Sequence, residues 1–303
     1  FNSEDEFVLL KEALFSKEIF VAEDDRCEYG DFQTNTNLCN QVTGYLSQKK
    51  IMPDIVVEPT CGKGSFIIAA IEAFSHVEKI IGVEIFDQYI WEAKFRIIHF
   101  YIQNKRKTKP VVQIFCGDVF EFDFKKIAQQ NSGKKILVLG NPPWVTNTKL
   151  SMLESENLPL KSNFKKHKGL DAITGKGNFD IGEFVALMII EAFHNSEGWF
   201  AFLLKNSVIR NIVFDQKQRM FKISNIRKFS IDSKKEFDVS VEAALFYCEF
   251  NRPEEFIVKE DDFNSNYRKS CSFGWVKNDF VSDVDKYKYT LNIEGKCQFE
   301  WRQ

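Results

Sequence analysis

From Asp54 onward, short apolar runs alternate with longer stretches whose apolar residues recur at helical spacing. Residues 55–57, 79–84, 111–115, 135–139 and 199–204 are runs of strand length. Between them, Phe66, Ile67, Ala70 and Phe74 share a helical face, and residues 87–103 and 181–194 show the same period. Residues 225–231 and 241–250 add a further pair of strands. Strands alternating with helices at this spacing predict a parallel α/β sheet. Upstream, residues 1–26 are acidic and amphipathic, with Phe7, Leu10, Leu14 and Phe15 on one side. Residues 29–34 read as a turn leading into a helix with Leu38, Val42 and Leu46 on one face. Residues 145–180 are polar and carry lysines at 161, 165, 166, 168 and 176, the pattern of a long loop. Past Arg252 the chain is polar and weakly strand-like. The expected division is an N-terminal helical segment over 1–50, a catalytic domain over 51–250 and an extension over 251–303.

Composition narrows the class. Apolar residues make up 44% and charged residues 28%, as in a globular protein. The most apolar stretches, 66–74 and 184–193, are too short to span a bilayer and each includes a Glu, so they read as core helices. No signal peptide pattern is visible, and a cytoplasmic location is expected. Seven Cys without a CxxC pair and four His without ligand spacing argue for reduced thiols and against a metal site. The net charge of −2 means that contact with nucleic acid would need a local basic patch or a region outside this chain. The first residue is Phe rather than Met, so a longer reading frame is expected.

Chemistry concentrates at the carboxyl ends of the predicted strands. Glu58-Pro59-Thr60-Cys61-Gly62-Lys63-Gly64 joins the first strand to a helix, where glycines let backbone amides approach a ligand. Alone, this fits a tight turn equally well. Glu84 ends the second strand, at about the distance from the glycine turn where an acid binds ribose hydroxyls in doubly wound folds. Asp118 ends the third strand and can accept from an adenine amino group, with the Val119 amide as the matching donor. The turn lacks the third glycine of a dinucleotide site and the Gly-Lys-Ser/Thr of a nucleotide-phosphate loop. A small adenosine ligand without pyrophosphate fits better.

The fourth strand ends in Asn141-Pro142-Pro143-Trp144. Proline fixes φ and drives the preceding residue to extended conformations, so the Asn141 side-chain oxygen and the Pro142 carbonyl can face one spot. Two acceptors suit an amino group with two hydrogens. They would draw a delocalised amine toward tetrahedral geometry and stabilise charge developing on its nitrogen. Trp144 is expected to stack on a base taken out of its duplex. The alternative is a Pro-Pro turn capped by Asn with a core Trp.

These motifs resemble the amino-methyltransferases, particularly the adenine-N6 DNA methyltransferases of restriction-modification systems. Asn141–Trp144 matches their catalytic signature, and Glu58–Phe66 matches their cofactor turn with Glu in place of the commoner Asp. The segment 30–34 resembles the one that holds the methionine end of the cofactor. Its position ahead of the glycine turn is the gamma-type order. The resemblance covers roughly residues 28–250 and implies a Rossmann-like, class I S-adenosylmethionine-dependent fold, a mostly parallel seven-stranded sheet with helices on both faces. It implies S-adenosylmethionine as cofactor, contacted by Gln33, Thr34, Glu58, Pro59, Cys61, Gly62, Gly64, Phe66, Glu84, Ile85, Asp118, Val119 and Asn141. It implies Asn141, Pro142, Pro143 and Trp144 as catalytic residues and double-stranded DNA with a flipped adenine as substrate, with Lys165, Lys166, Asn178 and Phe179 as further substrate contacts. Only about 50 residues follow the sheet, too few for a usual recognition domain. A specificity subunit or a recognition region outside the chain is therefore expected. Two alternatives stand: the same chemistry on ribosomal RNA adenine or a protein glutamine amide, and a cofactor-binding but silent subunit of a nucleic-acid complex.

Overall fold

The computed structural model describes residues 33–104, 109–144, 180–237, 241–262 and 271–294, together with helical residues 5, 7–9 and 12 near the N-terminus. Phe7 is buried there against Phe95 and His99. From residue 33 the described chain runs through α1 (Thr36–Gln48), then alternates β1 (Ile55–Glu58), α2 (Ser65–Ala73), β2 (Lys79–Glu84), α3 (Asp87–Asn104), β3 (Val111–Cys116), α4 (Phe124–Gln130) and β4 (Ile136–Gly140). It continues through α5 (Ile181–Phe193), β5 (Gly198–Lys205), α6 (Asn206–Arg219), β6 (Ile223–Ile231), α7 (Ser233–Phe237) and β7 (Ala243–Phe250). Three short strands, β8 (Ile257–Asp262), β9 (Ser272–Val276) and β10 (Asp279–Val281), precede α8 (Val284–Glu294).

Among the described residues, ten strands form one sheet in the order β10-β9-β8-β6-β7-β5-β4-β1-β2-β3. Only β7 and β9 run against the rest. The seven expected strands are β1–β7, and β8–β10 extend the same sheet beyond β6. Their polar sequence hides this, because the pairing rests on side chains elsewhere. Arg227 on β6 meets Asp261 on β8 at 2.7 Å, and Lys228 meets Glu260 at 2.8 Å. Such cross-strand opposite charges support pairing where apolar patterning does not.

The central strands are buried on both faces, so their sequences are continuous apolar runs rather than alternating ones. Ile55, Val57, Ile136 and Val138 point into the core beneath α4–α6, while Val56, Leu137 and Leu139 point into the core beneath α1–α3. Helix α6 is absent from the sequence expectation, yet it buries Val208, Ile209, Ile212 and Val213. Gln216 joins them in the core because its amide closes two hydrogen bonds with the backbone of Phe221, at 2.8 and 3.2 Å.

This order positions the site. The chain builds β1, β2 and β3 outward, then crosses back to place β4 on the other side of β1. The reversal makes the carboxyl ends of β1 and β4 a topological switch point, the place where open α/β sheets bind ligands.

Candidate active site

The glycine turn after β1 is tied to β2. The Cys61 amide donates to the Val83 carbonyl at 2.9 Å, and the Gly62 amide donates to Glu84 Oε2 at 2.8 Å. The other oxygen of Glu84 accepts from the Phe86 amide at 3.0 Å. Gly62 and Gly64 have φ of +49° and +75°, the left-handed region that glycine enters without steric cost. A Cβ on Gly62 would stand 2.9 Å from Gln33 Oε1, so this cradle closes if a side chain is added. Gln33 also accepts from the Lys63 amide at 3.3 Å, which brings the segment ahead of α1 onto the turn.

Glu58 ends β1 and is 3% exposed. Its Oε2 is buried and has no hydrogen-bond partner among the described residues. Burial, followed by the charge of Glu84, pushes its carboxyl well above the usual carboxylate range, against the Ile67 amide and Arg96. Pro59 and Glu58 lie against the tip of β4, where a Cβ on Gly140 would meet both within 4 Å. Asp118, beyond β3, accepts from the Phe120 amide at 2.8 Å, and Phe120 packs edge-on against Phe184 of α5. Ile85 and Val119 are half-buried beside these acids. The glycine turn, Glu84 and Asp118 thus occupy the tips of β1, β2 and β3, which are adjacent in the sheet.

Two residues expected at the cofactor sit deeper. Phe66 is in the core beneath α1–α3, and Cys61 turns its sulfur toward Gly82, where a Cβ would come within 2.9 Å. Both shape the turn from below.

The tip of β4 carries the acceptor turn. Asn141 Nδ2 donates to the Thr34 hydroxyl at 3.2 Å, and the Asn141 carbonyl accepts from Thr60 Oγ1 at 3.4 Å. Thr34 and Gln33 therefore link this turn to the glycine cradle. Trp144 corrects an expectation. Its indole is buried, packs edge-on against Phe237 at 4.9 Å, and donates from Nε1 to the Leu203 carbonyl at 3.3 Å. Buried indoles find such a partner for the N–H, and here that places the ring in the core instead of over a base. Lys165, Lys166, Asn178 and Phe179 lie outside the described residues.

Residues 12–220 match the N-6 DNA Methylase family. The chain belongs to that family. As a member, it is 37% identical over 285 residues to the Type II methyltransferase M.NspV of Nostoc sp., covering 94% of this chain. The chain spans 58% of that relative's length. The methyltransferase subunit of a type I restriction-modification system from Streptococcus thermophilus shares the fold, with a TM-score of 0.53 at 14% identity, over 90% of this chain and 56% of its own.

Two further residues of this family member support the turn. Lys205 ends β5 and donates to Asp180 Oδ2 at 2.5 Å and to the Trp144 carbonyl at 3.0 Å. Asp180 caps α5 by accepting from the Gly182 amide at 2.9 Å. Asp180-Ile181-Gly182-Glu183 does carry the spacing of a capping motif before an apolar run. Nothing local marks Lys205. Among the described residues, no helix is long and apolar enough to cross a membrane.

Proposed function

We propose that this chain carries the catalytic domain of an S-adenosylmethionine-dependent methyltransferase that modifies the N6 amino group of adenine in DNA, within a restriction-modification system. One observation carries the reading. The Thr34–Asn141 hydrogen bond joins the tip of β4 to the segment whose preceding residue, Gln33, covers the glycine turn. That tie supports reading the cofactor cradle and the acceptor turn as parts of one site.

The residues fit the cofactor. The Gly62–Gly64 cradle accepts close backbone approach, Glu84 and Asp118 supply acceptors for ribose and adenine, and the buried Glu58 oxygen suits a cationic ligand. When bound, S-adenosylmethionine supplies a methyl group made electrophilic by its sulfonium. The protein's part is orientation. Asn141 Nδ2 is held by Thr34, so Oδ1 is the acceptor end of the amide. Oδ1 and the Pro142 carbonyl accept the two hydrogens of the target amine and aim its lone pair. Both oxygens stabilise the positive charge that grows on nitrogen. No strong base is needed, because the methylated nitrogen gives up its proton readily. Trp144 fixes the turn from the core side. The substrate is a flipped adenine in double-stranded DNA, with Lys165, Lys166, Asn178 and Phe179 as candidate contacts. Recognition comes from a region outside this chain or from a specificity subunit, consistent with a net charge of −2. The setting is cytoplasmic.

The deciding assay is methyl transfer by the full-length protein to unmodified DNA, with the modified base mapped. N6-methyladenine is the expected product; methylation of ribosomal RNA or of a glutamine amide, or no transfer with cofactor bound, would reject the proposal.

Two measurements probe the cofactor wall. Glu84→Ala removes acceptors to the ribose and releases the Gly62 amide. The cofactor Kd should rise by about 10- to 100-fold, the worth of a hydrogen bond to a charged group. An unaltered Kd by calorimetry would remove Glu84 from the site. Glu58 should lose a proton as the cationic cofactor binds. With the empty-site carboxyl raised by burial and by Glu84, its neutral form persists to higher pH than usual. Binding favours the anion, so apparent affinity should climb as pH rises, until the empty site has itself ionised. Calorimetry in two buffers of different ionisation heat reads the released proton, and Glu58→Gln should abolish the difference. Equal heats in both buffers for the wild type would show that Glu58 keeps one protonation state.

A further inference from the structure

We propose that Lys205 is a positioning residue for methyl transfer, clasping Trp144 and Asp180 so that the Asn141–Pro142 acceptors keep their place; the inference rests on the reading of the site given above. Pro142 and Pro143 have no amide hydrogens, so the turn cannot be tied down by its own backbone donors there. It is held through carbonyls and side chains instead. Three of these ties are long: Thr60 to the Asn141 carbonyl at 3.4 Å, Asn141 to Thr34 at 3.2 Å and the Trp144 indole to Leu203 at 3.3 Å. The tie from the Lys205 ammonium to the Trp144 carbonyl is 3.0 Å and charge-assisted.

The sheet fixes where that ammonium sits. Lys205 is the last residue of β5, and β5 pairs in parallel with β4, whose tip carries the turn. Its side chain is 13% exposed and that of Asp180 is 11%. Asp180 in turn fixes the entrance of α5, and α5 abuts the turn directly: a Cβ on Gly182 would stand 3.2 Å from the Pro143 carbonyl. One cation therefore joins a residue 61 positions before it to another 25 positions before it. Burial pushes the Asp180 carboxyl up, and the bond to Lys205 opposes that rise. Ion pairs this secluded add little net stability against an apolar replacement, because desolvation offsets the attraction. What this pair fixes is geometry: it sets the distance between the exit of β4 and the start of α5.

The test compares wild type, Lys205→Met, Lys205→Arg and the double variant Lys205→Met/Asp180→Asn, each in the full-length protein. Methyl transfer to unmodified DNA, cofactor Kd and thermal unfolding are measured for each. Lys205→Met should lower kcat by about 100-fold, the scale of a misplacement near 1 Å. Cofactor Kd and the KM for DNA should stay within about twofold, since positioning acts on the chemical step. Lys205→Arg should recover most of kcat by restoring a buried donor. The double variant removes the unpaired carboxylate, so its Tm should return toward wild type while kcat stays low. A double variant with wild-type kcat would overturn the clasp while leaving the methyltransferase reading intact. So would a defect confined to KM with an altered salt dependence, which would make Lys205 a phosphate contact. A wild-type protein that binds cofactor but methylates no DNA would overturn both.

Discussion

Asn141→Ala should reduce methyl transfer by about 100- to 1,000-fold, the cost of removing one oriented group that stabilises charge in a transition state. The variant should still bind S-adenosylmethionine, because the glycine turn, Glu84 and Asp118 stand on β1, β2 and β3 and the acceptor turn on β4. One structural consequence is expected: the Thr34 hydroxyl loses its donor from Asn141 Nδ2. Asn141→Asp separates the two effects. Its carboxylate can accept from the Thr34 hydroxyl and still offer an oxygen to the substrate amine. It should therefore retain far more activity than the Ala variant. Single-turnover rates and calorimetry on the three proteins check this. Full activity in Asn141→Ala would remove Asn141 from the chemistry, and loss of cofactor binding in that variant would make its role structural.

Gly198→Ala should be among the most destabilising single substitutions in the chain. Gly198 opens β5 between β4 and β7, with φ at +147°. A Cβ there would fall 1.9 Å from the Ile136 carbonyl oxygen and 2.7 Å from its carbon. Both are backbone atoms of a paired strand, so no rotamer change relieves the overlap. Relief requires β5 to move away from β4, which breaks the ladder beginning with the 2.9 Å bond from the Ile136 amide to the Glu197 carbonyl. The cost should be on the order of 4 kcal/mol or more, the tail of the distribution for point mutants. That is a large part of the roughly 5–15 kcal/mol that holds a domain together. Gly133→Ala is the control. Gly133 has φ of +82°, but a Cβ there meets nothing within 4 Å, so the variant should lose only about 1 kcal/mol of backbone strain. Urea unfolding of both variants reads the contrast. Equal, small losses would mean that β4 and β5 do not approach this closely in solution.

The parts of the fold that were legible in the sequence are those whose burial is continuous. β1, β2 and β4 lie between two helical layers, so the residues between their ends carry no polar side chain, and the runs announce themselves. The acids and glycines at their ends stood out for the complementary reason: they interrupt the apolar runs at strand ends. Helix α6 was missed although Val208, Ile209, Ile212 and Val213 stand at helical spacing. Strand β8 was only weakly legible because charges on it pair with charges on β6 in place of an apolar pattern.

The same division runs through the candidate site. The sequence by itself determined the chemical groups: a glycine cradle, carboxylates at successive strand ends, and an Asn-Pro-Pro turn rich in acceptors. Each is a local signal, set within a few residues by what a strand end or a tight turn permits. Only the tertiary structure decided how those groups are joined. Thr34 reaches Asn141 across 107 positions, Lys205 binds both Trp144 and Asp180, and Trp144 turns into the core to meet Leu203. Contacts between distant residues depend on where the sheet places each strand end, and that placement comes from crossovers and packing that no short window of sequence contains.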